Sequence, residues 1–398
     1  MKTVITCDSF KGSLTSIEAC ATIQKAIQSV SDSIETKLYP MADGGEGTAE
    51  IINNLLNGKM VPANTFDELN NEIIVDYSIC DSKAIIDVAS CIGIEKYIKN
   101  KGRKKKPYVG NSYGVGVLMK DAIQRGCKEI LIGLGGSCTN DGGMGILNAF
   151  GANFLSKDNI NLRPCLNNMD SIEKIDLSHF FFPKQVKITV LCDVTNHLLG
   201  KKGAIYVFGP QKGIPKDQLE INDKRLEKYR NLLFKETGID INQYAGSGAA
   251  GGIGATLAGM FNAKIQEGIK TIIEISSLKD EIKNCDFVIT GEGKTDDQTM
   301  NGKVPFGISQ IAKEFNKPVI IISGALQDGY EQLYSFENVI GIYSTVKEIT
   351  SLENAIANAS SSLFNTAYTV MRTIYHLEKK IVRFLTIFLY IVSIHLVY

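Results

Sequence analysis

Apolar and polar positions alternate in two different textures along the chain. Residues 3–7 form a short β-rich run that ends in the polar turn Asp8-Ser-Phe-Lys-Gly-Ser13. Apolar residues at helical spacing follow from Ile17 to Val30, with Ser16 as the cap. A second run, 37–39, leads into the polar stretch PMADGGEGT (40–48), and a helix follows through Ile51, Ile52 and Leu55. Two strand–polar loop–helix units in the first 57 residues predict a parallel α/β sheet. Both loops would lie at the carboxyl ends of strands, where such sheets bind ligands. After Gly58 the texture changes. Short β-like runs at 60–61, 73–77 and 84–88 are separated by Asn, Asp and Ser, with no crossover helix between them. They predict antiparallel strands of a second domain.

Residues 112–125 read as a helix, and 130–132 as a strand that runs into the glycine-rich stretch 133–145. A helix should begin near Gly142 and continue through Phe150. The polar stretch 153–184 reads as irregular. A buried strand at 186–191 ends at Cys192-Asp193-Val194-Thr195-Asn196, and a strand at 204–208 ends at GPQKG (209–213). A charged helix over 217–237 precedes GSGAAGGIG (246–254), which opens an apolar helix. A strand at 286–290 ends in GEGKTDD (291–297), and a helix follows from about Pro305. Strands at 318–323 and 339–343 and a helix over 352–373 restore the texture of the first 57 residues. The economical reading is a middle domain inserted into a split α/β domain. Residues 1–58 and 285–378 form the split domain, 59–284 the insert, and 379–398 an atypical apolar tail.

The totals narrow the function classes. A chain of 398 residues can hold two domains and bury a substantial core. Lysine plus arginine equals aspartate plus glutamate at 43 each, which gives no reason to expect a nucleic-acid partner. The KGRKKK run (101–106) reads as a solvated surface loop. Nine cysteines are scattered singly without a C-x-x-C pair, the pattern of a reducing, cytoplasmic compartment. The four histidines are not paired at metal-ligand spacing, which argues against zinc. The amino terminus enters a strand-like run directly, with no apolar signal segment.

The candidate chemistry lies in the polar loops. Six glycines stand in the thirteen positions 133–145, so several backbone N–H groups can be aimed at one anion. The helix expected next would add the positive end of its dipole. A tight strand-to-helix turn remains the plainer alternative. The stretch is not a Walker A motif, because no Lys-Ser or Lys-Thr pair follows its last glycine. Gly246-Ser-Gly-Ala-Ala-Gly251 matches the dinucleotide fingerprint G-x-G-x-x-G, but its preceding strand is poor, and close packing or phosphate binding explains it better. Carboxylates recur beside glycines at Asp8, Asp43, Glu46, Asp141, Asp193, Glu292, Asp296 and Asp297, with Lys11, Lys212, Lys294 and Lys303 nearby. Phosphoryl transfer needs this mixture of phosphate-holding amides and lysines, metal-holding carboxylates and one carboxylate to orient the attacking hydroxyl. Singly, each such Asp is more often a turn or cap residue. No G-x-S-x-G elbow is present, and Cys138 and Cys192 have no evident histidine partner, so serine and cysteine hydrolases are set aside.

Five segments then identify a resemblance. DSFKGSL (8–14), PMADGGEGT (40–48), GGSCTNDGG (135–143), VFGPQKG (207–213) and ITGEGKTDDQT (289–299) closely resemble the bacterial glycerate kinase family of the glycerate 2-kinase type. They occur in the family's order and cover roughly residues 1–375. The resemblance implies an α/β fold of two domains. One is flavodoxin-like (Rossmann-like), with a parallel sheet built from both chain ends; the other is an inserted α/β domain, with an active site in a cleft between them. It also implies ATP- and Mg²⁺-dependent phosphorylation of the small molecule D-glycerate to 2-phosphoglycerate, with 3-phosphoglycerate or a non-catalytic sugar-acid binding module as alternatives. A homo-oligomer is left open.

Under that resemblance Asp193, Lys11 and Asp8 form the catalytic set, Asp193 orienting the hydroxyl because it ends a buried strand. Asp43, Glu46, Asp141, Glu292 and Asp296 are the candidates for Mg²⁺. Gly135, Gly136, Ser137, Thr139, Asn140, Gly142, Gly143, Gly248, Gly251 and Gly252 would cradle phosphates, with Lys212 and Lys303 on phosphate or carboxylate. Cys138, His197 and Lys294 depart mildly from the family pattern, where Ala, Pro and Arg are expected. The tail departs further. From Phe384 its apolar run of 15 residues spans about 22 Å as a helix, short of a bilayer core of about 30 Å. A docked helix or a non-native tail is the expectation, rather than a membrane anchor.

Overall fold

The computed structural model describes residues 1–42, 47–96 and 104–395, without the side chains of 301 and 381–395. The chain divides into two compact units, Met1–Met41 with Ser277–Tyr398, and Ala42–Ser276. It enters the first unit through β1 (Lys2–Cys7), the helix Ser16–Gln28 and β2 (Glu35–Leu38). That helix starts at a reciprocal cap one residue before the expected one. The Thr15 hydroxyl accepts from Glu18 N at 3.2 Å while the Glu18 carboxylate accepts from Thr15 N at 2.8 Å. Its buried face carries Ala19, Cys20, Ile23, Ala26 and Ile27 at helical spacing.

In the second unit, the helix Thr48–Leu56 is followed by β3 (Lys59–Phe66), β4 (Glu72–Cys80) and β5 (Lys83–Asp87), paired antiparallel as the sequence predicts. The helix Tyr113–Gln124 leads to β6 (Glu129–Gly133), and the short hairpin β7 (Asn153–Leu155) and β8 (Lys174–Asp176) interrupts the stretch expected to be irregular. Strands β9 (Lys187–Leu191) and β10 (Lys264–Gln266) complete a six-stranded sheet of order β10-β9-β6-β5-β4-β3. The pairs β5–β6, β6–β9 and β9–β10 are parallel, so their carboxyl ends share one edge.

Two expectations are corrected here. Residues 204–208 are not a strand but the start of the helix Ala204–Lys212. Burial at Ala204, Ile205, Gly209 and Lys212 follows a helical period, and Gly213 ends the helix at φ +106°. The helix Thr48–Leu56 belongs to this unit rather than to the split one, because it packs on β4 and β5 and Ser78 Oγ donates to Asn53 Oδ1 at 2.7 Å. The divisions therefore fall at 41/42 and 276/277, not at 58/59 and 284/285.

The chain returns to the first unit through β11 (Phe287–Gly291), β12 (Lys294–Thr295), the helix Val304–Glu314, β13 (Val319–Ser323), β14 (Ala325–Leu326) and β15 (Val339–Ser344). Its five-stranded sheet, β15-β13-β11-β1-β2, is parallel throughout. Every residue of β11 and β13 is buried, as expected of parallel strands covered on both faces. The expected helix over 352–373 is broken at Asn358 into Leu352–Ala357 and Ala359–His395. The longer piece packs against the helix Ser16–Gln28 through Leu363, Ala367, Val370 and Met371. Among the described residues no helix is long and apolar enough to cross a membrane.

Candidate functional site

In the second unit, the register row Asp87–Gly133–Leu191–Gln266 brings three polar loops out at the carboxyl edge. The loop after β6 holds its own anion. Asp141 has no exposed surface, and its carboxylate accepts from Ser112 N and Ser112 Oγ, both at 2.8 Å, from Gly145 N at 2.9 Å and from Gly143 N at 3.2 Å. Burial pushes its carboxyl above the ordinary value, and those four donors oppose the shift. The helix Met144–Ala149 is only six residues long, and its first amides are already taken by Asp141. The expected phosphate site at that helix start is thus filled by a side chain of the chain itself. A carboxylate so enclosed has no face for a metal ion, which removes Asp141 from the Mg²⁺ set.

The two glycine-rich stretches of this unit interlock. Gly142 N donates to Gly251 O at 3.0 Å. Gly251 stands at φ +67°, and a Cβ there would come within 2.1 Å of Thr139 O; one at Gly252 would come within 2.7 Å of Gly142 Cα. A Cβ at Gly248 would meet His197 O at 2.3 Å, and Gly142 and Gly143 press on Tyr229 and Thr256. Glycine here allows backbone to touch backbone. Gly248, Gly251 and Gly252 therefore let these loops pack backbone against backbone. Gly135 and Gly136 differ, since Gly136 is exposed and Gly135 half-buried at the turn just after β6.

Beside that turn, Lys212 ends its helix fully inside the unit. Its Nζ donates to Ser137 Oγ at 3.0 Å and to Thr139 O at 2.7 Å. Burial pulls the ammonium down to about 8, opposed by Cys138 and Asp141. Asn140 Nδ2 donates to Pro107 O at 3.3 Å, while Thr139 Oγ1 and Asn140 Oδ1 have no hydrogen-bond partner among the described residues. Asp193, half-buried two residues beyond β9, accepts from Gly268 N at 2.7 Å at the start of the helix Gly268–Ile275. The sequence reading passed over Asp87, which does the same for the helix Thr48–Leu56, accepting from Gly47 N at 3.1 Å and Ala49 N at 3.2 Å. Its signal was available, because it ends a strand run like the others, but no glycine stands beside it. Ser112, the partner of Asp141, was also missed.

In the first unit, Asp8 and the loop after β11 emerge together, as Cys7 is paired with Gly291 and Asp8 N donates to Gly291 O at 2.9 Å. Asp8 accepts from Ser9 N at 2.7 Å, and the exposed Lys11 follows on the same turn, with its backbone N pressed against Gly293. Glu292 is buried. Its Oε1 accepts from Thr299 Oγ1 at 2.7 Å and Thr295 Oγ1 at 3.0 Å, and its Oε2 lies 3.8 Å from Lys303 Nζ. Burial pushes its carboxyl up, with Thr299, Lys303 and Thr295 opposing. Asp296 lies 2.6 Å from Lys294 Nζ and 3.6 Å from Lys303 Nζ. Burial raises its carboxyl, but the two lysines outweigh that and hold it below the ordinary value. Both lysine heads reach solvent.

Asp43 and Glu46 lie outside the described residues. Among the described residues no three His, Cys, Asp or Glu side chains cluster as a metal site, and Glu292 and Asp296 are both engaged by Lys303. The described carboxylates do not fit a resident metal.

A model of the family described as glycerate kinase matches residues 3–375. The chain belongs to that family. It is 35% identical over 371 residues to a glycerate kinase of Halalkalibacterium halodurans, covering 92% of this chain and 96% of the relative. It is 33% identical over 377 residues to the glycerate 2-kinase of Escherichia coli K12, covering 94% and 98%. The solved structure of a glycerate kinase 2 from Salmonella typhimurium LT2 superposes with a TM-score of 0.79 at 34% identity, over 95% of this chain and 99% of that one. Membership makes the chain an enzyme, a kinase, and the mixed α/β fold is the family's.

Proposed function

We propose that the chain transfers the γ-phosphoryl group of ATP to the C2 hydroxyl of D-glycerate, giving 2-phosphoglycerate and ADP. The observation that carries this reading is the charged cluster at the carboxyl edge of a parallel sheet, in which the buried carboxylates of Glu292 and Asp296 hold the solvent-reaching side chains of Lys294 and Lys303. Ammonium groups held by carboxylates, yet reaching solvent, suit a phosphate chain that arrives and leaves. The likeness to the Escherichia coli glycerate 2-kinase supports the substrate and the position.

Asp193 is the group that receives the hydroxyl proton as the new O–P bond forms and the β–γ bridging O–P bond breaks. Its bond from Gly268 N fixes the carboxylate's orientation. Lys303 and Lys11 hold phosphate oxygens, and Asp8 orients the acceptor. Magnesium enters as part of MgATP, where phosphate oxygens and water supply most of its ligands.

ADP release should require D-glycerate and should be absent with L-glycerate, lactate or no acid. Coupling the product to enolase without a mutase reads the position, because only 2-phosphoglycerate is dehydrated directly. A signal that needs added mutase would shift the product to 3-phosphoglycerate, and D-glycerate-independent ADP release would remove the reaction. Asp193→Asn should lower kcat by about 10²–10⁴-fold. Its melting temperature should hold, because Asn caps a helix as well as Asp does.

A further inference from the structure

Among the described residues Lys212 is the one buried lysine or arginine, with 3% of its surface exposed. Its two hydrogen-bond partners, Ser137 Oγ and Thr139 O, are both neutral, and it forms no ion pair among the described residues. A buried ammonium without a counter-charge is an expensive arrangement, and folded chains normally pair it or neutralise it. Lys2, Lys96 and Lys303, which are all more exposed, do have carboxylate partners. On the same turn, Thr139 Oγ1 and Asn140 Oδ1 are buried polar atoms without a partner among the described residues, although such atoms are nearly always satisfied. The turn is not sealed. Gly135 and Gly136 precede Ser137, and Gly136 faces solvent at φ +71°.

We infer that Lys212, Ser137 and Thr139 form a receptor for the anionic oxygens of a ligand, a carboxylate or a phosphate group, which supplies the paired counter-charge that no described residue gives Lys212. The third ammonium hydrogen and the Thr139 hydroxyl are the donors left for it, while Asn140 Oδ1, an acceptor, suits a ligand hydroxyl and not the anion itself. This rests on the proposed reaction in one respect, since both of its substrates carry such groups. A lysine that merely stapled the turn would need no charge, because a neutral amine also donates two hydrogen bonds. The charged or titratable groups acting on it are Cys138 and Asp141. Burial pushes the Cys138 thiol up to about 12, so it stays neutral near pH 8.

The test is calorimetry on the full chain at pH 8 and pH 6, each in two buffers of different ionisation enthalpy. The probes are sodium sulfate, D-glycerate and a non-hydrolysable ATP analogue. The ligand that occupies the site should bind with proton uptake at pH 8 that disappears at pH 6, because Lys212 lies near 8 in the free protein. Uptake with D-glycerate assigns the site to the carboxylate, and uptake with the ATP analogue assigns it to phosphate. Lys212→Met should weaken that ligand tenfold or more, and Lys212→Arg should recover part of the loss. Proton-free binding of all three probes at pH 8, an affinity in Lys212→Met within twofold of wild type for each, or no binding by wild type overturns the inference. D-glycerate turnover with no dependence on Lys212 would sink the receptor alone. Proton-linked sulfate binding without D-glycerate turnover would instead sink the proposed reaction.

Discussion

Asp141 and Asp296 both stand buried in glycine-rich loops at the ends of parallel strands, and their partners differ. Asp141 is fully buried and takes four hydrogen bonds, three from backbone N–H groups and one from a serine. Asp296 is held by two lysines whose heads reach solvent. The first carboxylate organises its own loop, while the second, also buried, holds ammonium groups whose side chains reach solvent. The same contrast separates Gly251, closed against Thr139, from Gly136, which is exposed. Residue type sets what chemistry is available at a position. Whether backbone has already closed on it decides which use is made.

Four experiments bear on that contrast. Asp141→Ala should have the largest effect, a loss of about 3–5 kcal/mol of stability, since four buried donors lose their acceptor at once. Chemical denaturation would show it, and an unchanged midpoint would place Asp141 with the lysine-paired carboxylates instead. Lys303→Met should act the opposite way, lowering turnover by about 100-fold with little change in melting temperature. A variant that unfolds while its surviving fraction turns over normally would make that cluster structural.

The third experiment concerns pH. Lys212 titrates at about 8 in the folded chain against an ordinary 10.5. Between those values the unfolded chain carries a proton that the folded chain has released, so raising pH through this window stabilises the fold. The stability of wild type relative to Lys212→Met should rise by roughly 3 kcal/mol from pH 8 to pH 10.5. A flat difference would mean the ammonium is not destabilised by burial. The smallest effect is expected from deleting residues 381–398. Met371 is the last buried side chain described, so ADP release should stay within twofold of the full chain. A larger loss would give the tail a part in the reaction.

Much of the architecture was legible because the strands that matter read as uninterrupted apolar runs, as in Phe287–Gly291 and Val319–Ser323. The antiparallel texture of β3 to β5 was legible too, from the missing crossover helices. The helix Ala204–Lys212 was not, since its β-prone residues outweighed a helical period visible only in the burial. Nor was the allegiance of Thr48–Leu56, which is decided by strands that come later in the chain. At the site, the kinds of residue were legible and their division of labour was not. What makes Asp141 a structural carboxylate is Ser112, 29 positions earlier, and what fills the space at Gly251 is Thr139, in a different loop. No local pattern carries information about partners that distant.

The sheet order β15-β13-β11-β1-β2 has a consequence for the chain as it leaves the ribosome. Strand β1 pairs with β2 on one side and with β11 on the other, and Thr3 waits for Phe287. Two parallel strands and a helix are too little to stand alone in water. Strands β1 and β2 must therefore wait for β11 while all of Ala42–Ser276, which has its own six-stranded sheet, is synthesised. That order of events favours a species in which the insert has folded while β1 still lacks β11.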